Sequence, residues 1–323
     1  MITATQRRAV ALAGASGYSG QEFLKWVSKH PHFEVTHHIG RETELASLKG
    51  KVDAAVLATP AEVSYEMAPK LVELGIRTVD VSGAFRLKTH SYTEWYGFEH
   101  NENALLRDAV YGLYPWIKPN TNTQLVANPG CYTTTALMAL LPLLVEKVID
   151  PASIFVDAAS GASGAGKKAS ANLMFAELFG NSYAYKTGKH QHWPELVEYL
   201  CDQGKVQNIA PVFTTKLLPV FRGILATTFL EWHPNLSDSQ KNATTLLSAY
   251  KKHYDGNPDI IVSESEVQLS QVNNTNKFAV SAHVAYNKPV VFCALDNLVR
   301  GAAGQALMNL NQMFGLPAHQ GLI

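Results

Sequence analysis

The chain has 323 residues, 46% of them hydrophobic, with 27 basic and 27 acidic side chains and a formal net charge of zero. This length exceeds what one hydrophobic core commonly organises and predicts two domains, while the balanced charge supplies no field to draw nucleic acid or an anionic membrane. Three cysteines without C-x-x-C spacing and an N-terminus that runs straight into a strand pattern fit a cytoplasmic protein, and no apolar run reaches the ~18 residues of a membrane helix.

The opening stretch AVALAGASGYSGQEFLKWV reads as a short strand, a turn with Gly14, Gly17 and Gly20, and an amphipathic helix carrying Phe23, Leu24 and Val27. Further strands are predicted at 33–39, 53–59 and 76–81, with residues 62–75 as a crossover helix. This alternation predicts a Rossmann-like, doubly wound parallel sheet. The turn Gly14, Ser16, Gly17, Tyr18, Ser19 and Gly20 would bring backbone N–H groups and a helix N-terminus to a pyrophosphate. Its spacing is G-x-x-G-x-x-G rather than G-x-G-x-x-G, so a plain tight turn has the same composition. Arg41, just past the second strand, suits a ribose 2′-phosphate and favours NADP(H) over NAD, although Glu42 adjoins it. His37 and His38 face opposite sides of that strand and read as structural.

After residue 82 the alternation stops. Arg86 follows the fourth strand at the rim where α/β clefts lie, and its guanidinium suits a carboxylate or phosphate. An aromatic, irregular stretch leads to a strand at 125–128 and then to NPGCYTTTALMALLPLL. Cys131 falls there in the first turn of an apolar helix, where unpaired N–H groups and the dipole favour a thiolate and could also hold an oxyanion. Pro142 is expected to kink that helix or begin its end. Cys201 and Cys293 read as inert structural thiols.

From about residue 148, strands at 153–160, 223–232, 278–286 and 289–297, the last two joined by a hairpin, predict an α+β domain with a mixed, largely antiparallel sheet. Within it, the loop SGASGAGKK offers backbone N–H groups, including that of Gly161, and the hydroxyls of Ser160 and Ser163 for an anion. Arg222 stands at the entry to a strand. His190 and His192 precede a helix expected from Pro194, and in extended chain would face one side. The final stretch has helical apolar spacing at Ala303, Leu307, Leu310 and Phe314, and could pack on the first domain or line the cleft. The expected organisation is a dinucleotide domain over 1–130, completed by the helix at 300–323, and a catalytic domain over 131–299.

A thiol nucleophile, a histidine acid/base, a nicotinamide cofactor and anion-binding groups together describe an acylating aldehyde dehydrogenase or its reverse. A zinc site of Cys131, His190 and His192 is the weaker reading: no further ligand stands at suitable spacing, and zinc would quench the thiolate. A cofactor-free cysteine hydrolase and a non-enzymatic nucleotide sensor are readings from other classes.

At these residues the chain also resembles the N-acetyl-gamma-glutamyl-phosphate reductases of arginine biosynthesis. GASGYSG, DVSGAFRL, WYGFEH, AVYGLYP, NPGCYTTTALMALLPLL, DAASGASGAGKK, KHQHWPEL, LLPVFRGILATTF and DNLVRGAAGQALMNLNQMFGLP occur in the family's order. The resemblance implies Cys131 as nucleophile and His190 as acid/base. It implies His192, Tyr185 and Arg222 as substrate contacts and Asn297 beside the cofactor. It further implies an acyl phosphate and inorganic phosphate as small-molecule partners, NADP(H), no metal, and a homodimer or homotetramer. Related reductases of aspartyl phosphate or an N-protected aminoadipyl phosphate would share the mechanism. The chain departs from the family where TPAEVS follows the third strand, where YGLYPW lacks an acidic residue, and in the shortness of residues 40–53. It departs also at Gly83-Ala84, where members have Ala-Asp.

Overall fold

The computed structural model describes residues 7–88, 90–101 and 103–322. One unit runs from the N-terminus to Gly130 and resumes at Ala302; the other is Cys131–Gly301.

In the first unit the predicted alternation appears as β1 (Arg8–Ala13), α1 (Tyr18–Val27), β2 (Phe33–Ile39), β3 (Ala54–Leu57), α2 (Ala61–Glu73) and β4 (Arg77–Asp80). The aromatic stretch that lacks periodicity holds α3 (Tyr92–Tyr96), α4 (Asn103–Asp108) and β5 (Val110–Tyr111), followed by β6 (Leu125–Ala127). It is compact because its rings pack on one another: Tyr92 lies 4.5 Å from His100 and Tyr65 5.4 Å from Phe98 between centroids. A Cβ on Gly83 would fall within 2.1 Å of the Tyr96 ring, so this packing needs a glycine there. The strand order is β2-β1-β3-β4-β6-β5, all parallel. Successive β1 residues serve opposite faces: Val10 and Leu12 pack with Phe23 of α1, Ala11 and Ala13 with Ala68 and Leu71 of α2. Ala303, Leu307 and Leu310 join the Val10 and Leu12 core, so the terminal helix completes this unit.

The second unit comprises α5 (Cys131–Val145), β7 (Ile149–Gly161), α6 (Phe175–Leu178), β8 (Tyr183–Ala184), α7 (His192–Gly204), β9 (Val212–Leu218), β10 (Ile224–Trp232), α8 (Ala243–Tyr254), β11 (Ile260–Ser263), β12 (Phe278–Ala285) and β13 (Lys288–Leu295); α9 (Gly304–Met313) lies back in the first. Its sheet, β11-β12-β13-β10-β7-β9-β8, is mixed: β7 with β9 and β11 with β12 are parallel, the other pairs antiparallel. The β12–β13 hairpin turns on Tyr286 and Asn287, both at positive φ, as a primed two-residue turn requires. Sequence reading did not place β8, β9, β11 or α8. It also put the start of α7 at Pro194, whereas that helix begins at His192; α5 runs through Pro142 and ends three residues later, at Val145.

Candidate active site

β6 ends at Ala127, and the turn Asn128-Pro129-Gly130 delivers the chain to α5. From Tyr132 to Leu144 this helix is buried on every side; its first residue, Cys131, keeps partial exposure. A single π turn, Val299–Ala303, lies against it: a Cβ on Gly301 would stand 2.7 Å from the Cys131 Cβ. The nucleophile candidate is therefore the one reachable residue at the start of a core helix, at the end that favours negative charge.

The histidine pair is assembled differently from the extended segment predicted. Gln191 is in the α region, so the chain winds and the His192 N–H donates to His190 Nδ1 at 3.2 Å. That contact assigns the neutral His190 proton to Nε2. Burial, then the charges of His192 and Lys186, push the His190 pKa down to about 2, with Glu195 pulling the other way. His190 is thus a neutral imidazole presenting an N–H.

Tyr132, which sequence reading passed over, connects these groups. Its ring stands edge-on to His190 at 5.4 Å and to His192 at 6.0 Å. Its hydroxyl accepts from Tyr185 at 2.9 Å and donates to the Lys216 carbonyl at 3.1 Å. Cys131 is near enough to both phenols to oppose their ionisation; burial is the larger cause, and Tyr185 is pushed up to about 12. Cys131, Tyr132, Tyr185, His190 and His192 form one cluster within the second unit. The only local signal for Tyr132 is its place beside the cysteine.

Several expected ligand groups have other partners. The N–H groups of Gly161 and Ser163 donate to the carbonyls of Gly223 and Phe221 at 2.9 and 3.0 Å, and a Cβ on Gly161 would meet the Arg222 backbone at 2.7 Å. Gly161 lets the two turns pack closely, and the N–H groups of Gly161 and Ser163 are spent between them. The buried Ser160 hydroxyl donates to the Gly161 carbonyl. Asn297 donates to the Ser163 hydroxyl at 3.0 Å and accepts from the Gly223 N–H at 2.7 Å, so it braces the same turns. Arg86 is buried as well, and its guanidinium donates to the Asn128 and Val81 carbonyls, at 2.7 Å each, beside the turn before Cys131. Arg222 pairs with buried Asp296 at 3.0 Å while remaining partly exposed.

In the first unit, Gly14 has φ +78°, and a Cβ there would lie 2.2 Å from the Ala58 carbonyl oxygen. Gly20 is equally tight against the Gly14 oxygen, at 2.2 Å. Gly17 caps α1 without a side-chain hydrogen bond, and the first helical turn, including Tyr18 and Ser19, holds no acidic residue. Ser16 is exposed beside it, and Arg41 is exposed after β2. A cradle that excludes side chains and ends on an uncapped helix terminus fits a dinucleotide pyrophosphate.

Residues 9–124 match a family described as "Semialdehyde dehydrogenase, NAD binding domain", and residues 131–297 its "dimerisation domain". N-acetyl-gamma-glutamyl-phosphate reductases of Geobacillus sp. (strain WCH70) and Geobacillus stearothermophilus are 36% and 38% identical to this chain. The alignments cover 97% of it and 98% and 97% of those proteins. Among solved structures, aspartate semialdehyde dehydrogenase II of Vibrio cholerae superposes with a TM-score of 0.71 at 18% identity, covering 96% of this chain and 99% of that one. That likeness is one of fold.

Proposed function

The chain belongs to the N-acetyl-gamma-glutamyl-phosphate reductase family, and we propose that its first unit holds the dinucleotide while its second carries out acyl transfer on Cys131. The enzyme reduces N-acetyl-gamma-glutamyl phosphate to N-acetyl-L-glutamate 5-semialdehyde and phosphate, a step of arginine biosynthesis, with NADP(H) as cofactor. The observation that carries the residue assignment is the single cluster of Cys131, His190 and the hydrogen-bonded Tyr132–Tyr185 pair.

The turn Gly14–Gly20 would hold the pyrophosphate and Arg41 the 2′-phosphate; when bound, the reduced nicotinamide supplies a hydride. A carboxylate is too poor an acceptor for it, and a thioester is not. Cys131 sulfur bonds the acyl carbon as the bond to phosphate breaks and the leaving oxygen takes the electron pair. Once the thioester carbon is reduced, His190, as the acid/base, gives its Nε2 proton to the oxygen of that carbon. The C–S bond then breaks as the aldehyde forms, and the hydroxyl proton returns to His190. Tyr185, His192 and Arg222 face the substrate; Arg86, Ser160, Gly161, Ser163 and Asn297 support the loops that present it. The protein acts in the cytoplasm, as its three free cysteines suit, and as a homodimer or homotetramer.

The reverse reaction tests this reading. N-acetylglutamate semialdehyde, phosphate and NADP should yield reduced nicotinamide only when phosphate is present, and faster than with NAD. Cys131→Ala should abolish turnover with NADPH affinity unchanged, and His190→Ala should cost roughly 10²–10⁴-fold in rate. Phosphate-independent turnover, or an active Cys131→Ala variant, would overturn the assignment.

A further inference from the structure

The Tyr132–Tyr185 pair has a direction. The Lys216 carbonyl can only accept, so the Tyr132 hydroxyl that lies 3.1 Å from it donates there. Tyr132 then has only lone pairs for Tyr185, and the Tyr185 hydroxyl donates across the 2.9 Å contact. The nearby Thr215 hydroxyl, whose proton goes to the Tyr185 carbonyl at 2.7 Å, could likewise only accept from the phenol. Tyr132 is buried, so no water replaces it as the acceptor. Tyr185 is half-buried, stands edge-on to His190 at 5.8 Å, and feels the charge of Cys131. A molecule held beside these two groups therefore meets a tyrosine whose proton is already committed.

We propose that Tyr132 is a specificity-determining residue that turns the Tyr185 hydroxyl into a hydrogen-bond acceptor, so that the pair reads an N–H donor on the substrate. This rests on the reading above, in which the substrate carries an acylated amino group: its amide N–H is the donor, a few bonds from the carbon that Cys131 attacks. An ester oxygen in the same place would set lone pair against lone pair. A lone tyrosine free to rotate would discriminate less, because it could donate to that oxygen instead.

Calorimetric binding of N-acetyl-L-glutamate and of its O-acetyl counterpart, in which an ester oxygen replaces the amide N–H, tests this without requiring turnover. The wild-type protein should prefer the amide by about tenfold or more. Tyr132→Phe and Tyr185→Phe should each reduce that preference to within about twofold, and the double variant should be no worse than either single one. In turnover of the semialdehyde, Tyr132→Phe should raise KM and leave kcat within about twofold, with thermal melting confirming that the variant is folded. A Tyr132→Phe protein that keeps the wild-type preference, a wild type that binds both ligands equally or neither, or a variant whose kcat falls at unchanged KM would each overturn the proposal. Failure of the reductase reading shows separately, as absent phosphate-dependent turnover by the wild type.

Discussion

At the scale of single residues, the placement of the proposed nucleophile, Cys131, depends on a glycine 170 positions away. Gly301 is the residue of the π turn that faces Cys131, and a methyl group there would stand 2.7 Å from the Cys131 Cβ and 3.2 Å from its Cα. One of the two backbones must move to admit it. Overpacking of this kind costs roughly 1–3 kcal/mol, and a shift of about 1 Å at a reacting atom can cost on the order of 10²-fold in rate. Gly301→Ala should therefore lower kcat by about that factor and slow alkylation of Cys131 by iodoacetamide, while NADPH affinity stays at the wild-type value. Wild-type rates in both assays would show that the contact does not position the thiol. As candidates, Cys131 and the two histidines are legible in the sequence because each stands in a local pattern that chemistry recognises. Tyr132 and Gly301 are not, since their roles arise from contacts with distant positions. The same limit explains the loop at 160–163, where Gly161, in a stretch whose composition suggests an anion site, accommodates the turn at 220–223.

At the scale of elements, α5 shows why a proline inside a helix need not end it. Pro142 has no N–H to give the carbonyl four residues back, that of Met138, and its ring crowds the same turn. Tyr254 of α8 donates its hydroxyl to the Met138 carbonyl at 2.6 Å, and Tyr250, one turn earlier, donates to the Ala139 carbonyl at 2.6 Å. Both tyrosines are buried, and the Tyr254 hydroxyl stands in for the N–H that Pro142 lacks, in a place water does not reach. Removing the Tyr254 hydroxyl leaves a buried carbonyl without that partner, at about 1–3 kcal/mol. Tyr254→Phe should lower the midpoint of denaturant unfolding accordingly, and should do so much less in a Pro142→Ala background, where the restored N–H can bond Met138. Equal losses in both backgrounds would mean that the hydroxyl contributes nothing through the proline gap. The apolar run 132–144 is visible in the sequence, but its continuation through Pro142 is decided by residues more than a hundred positions later. The strands of the first unit other than β5 are easier to read, because each carries its own alternation or apolar run and its own turn.

At the scale of the whole molecule, the sheet of the second unit leaves one face uncovered by its own helices. Register places Val212, Phe155, Phe229 and Val290 in a row across β9, β7, β10 and β13. Phe155 and Phe229, directly opposite each other, are 47% and 50% exposed. In β7 the neighbours Ile154 and Val156 point into the core, so SIFV is apolar on both faces, a pattern that belongs to a strand covered on both sides. The sequence therefore records a cover that a single copy of this unit does not supply. A second copy is the fitting occupant: the matched family description names this segment for dimerisation, and a formal net charge of zero sets up no long-range repulsion between copies. Stable interfaces of this kind bury roughly 800 Å² per partner around a hydrophobic centre, and a charge in that centre has no counter-ion. Phe155→Glu combined with Phe229→Glu should halve the sedimenting mass if the wild type is a dimer, or reduce a tetramer to a smaller species, with the far-UV circular dichroism unchanged. A folded double variant that keeps the wild-type mass would place the interface elsewhere, and a monomeric wild type would remove the need for one.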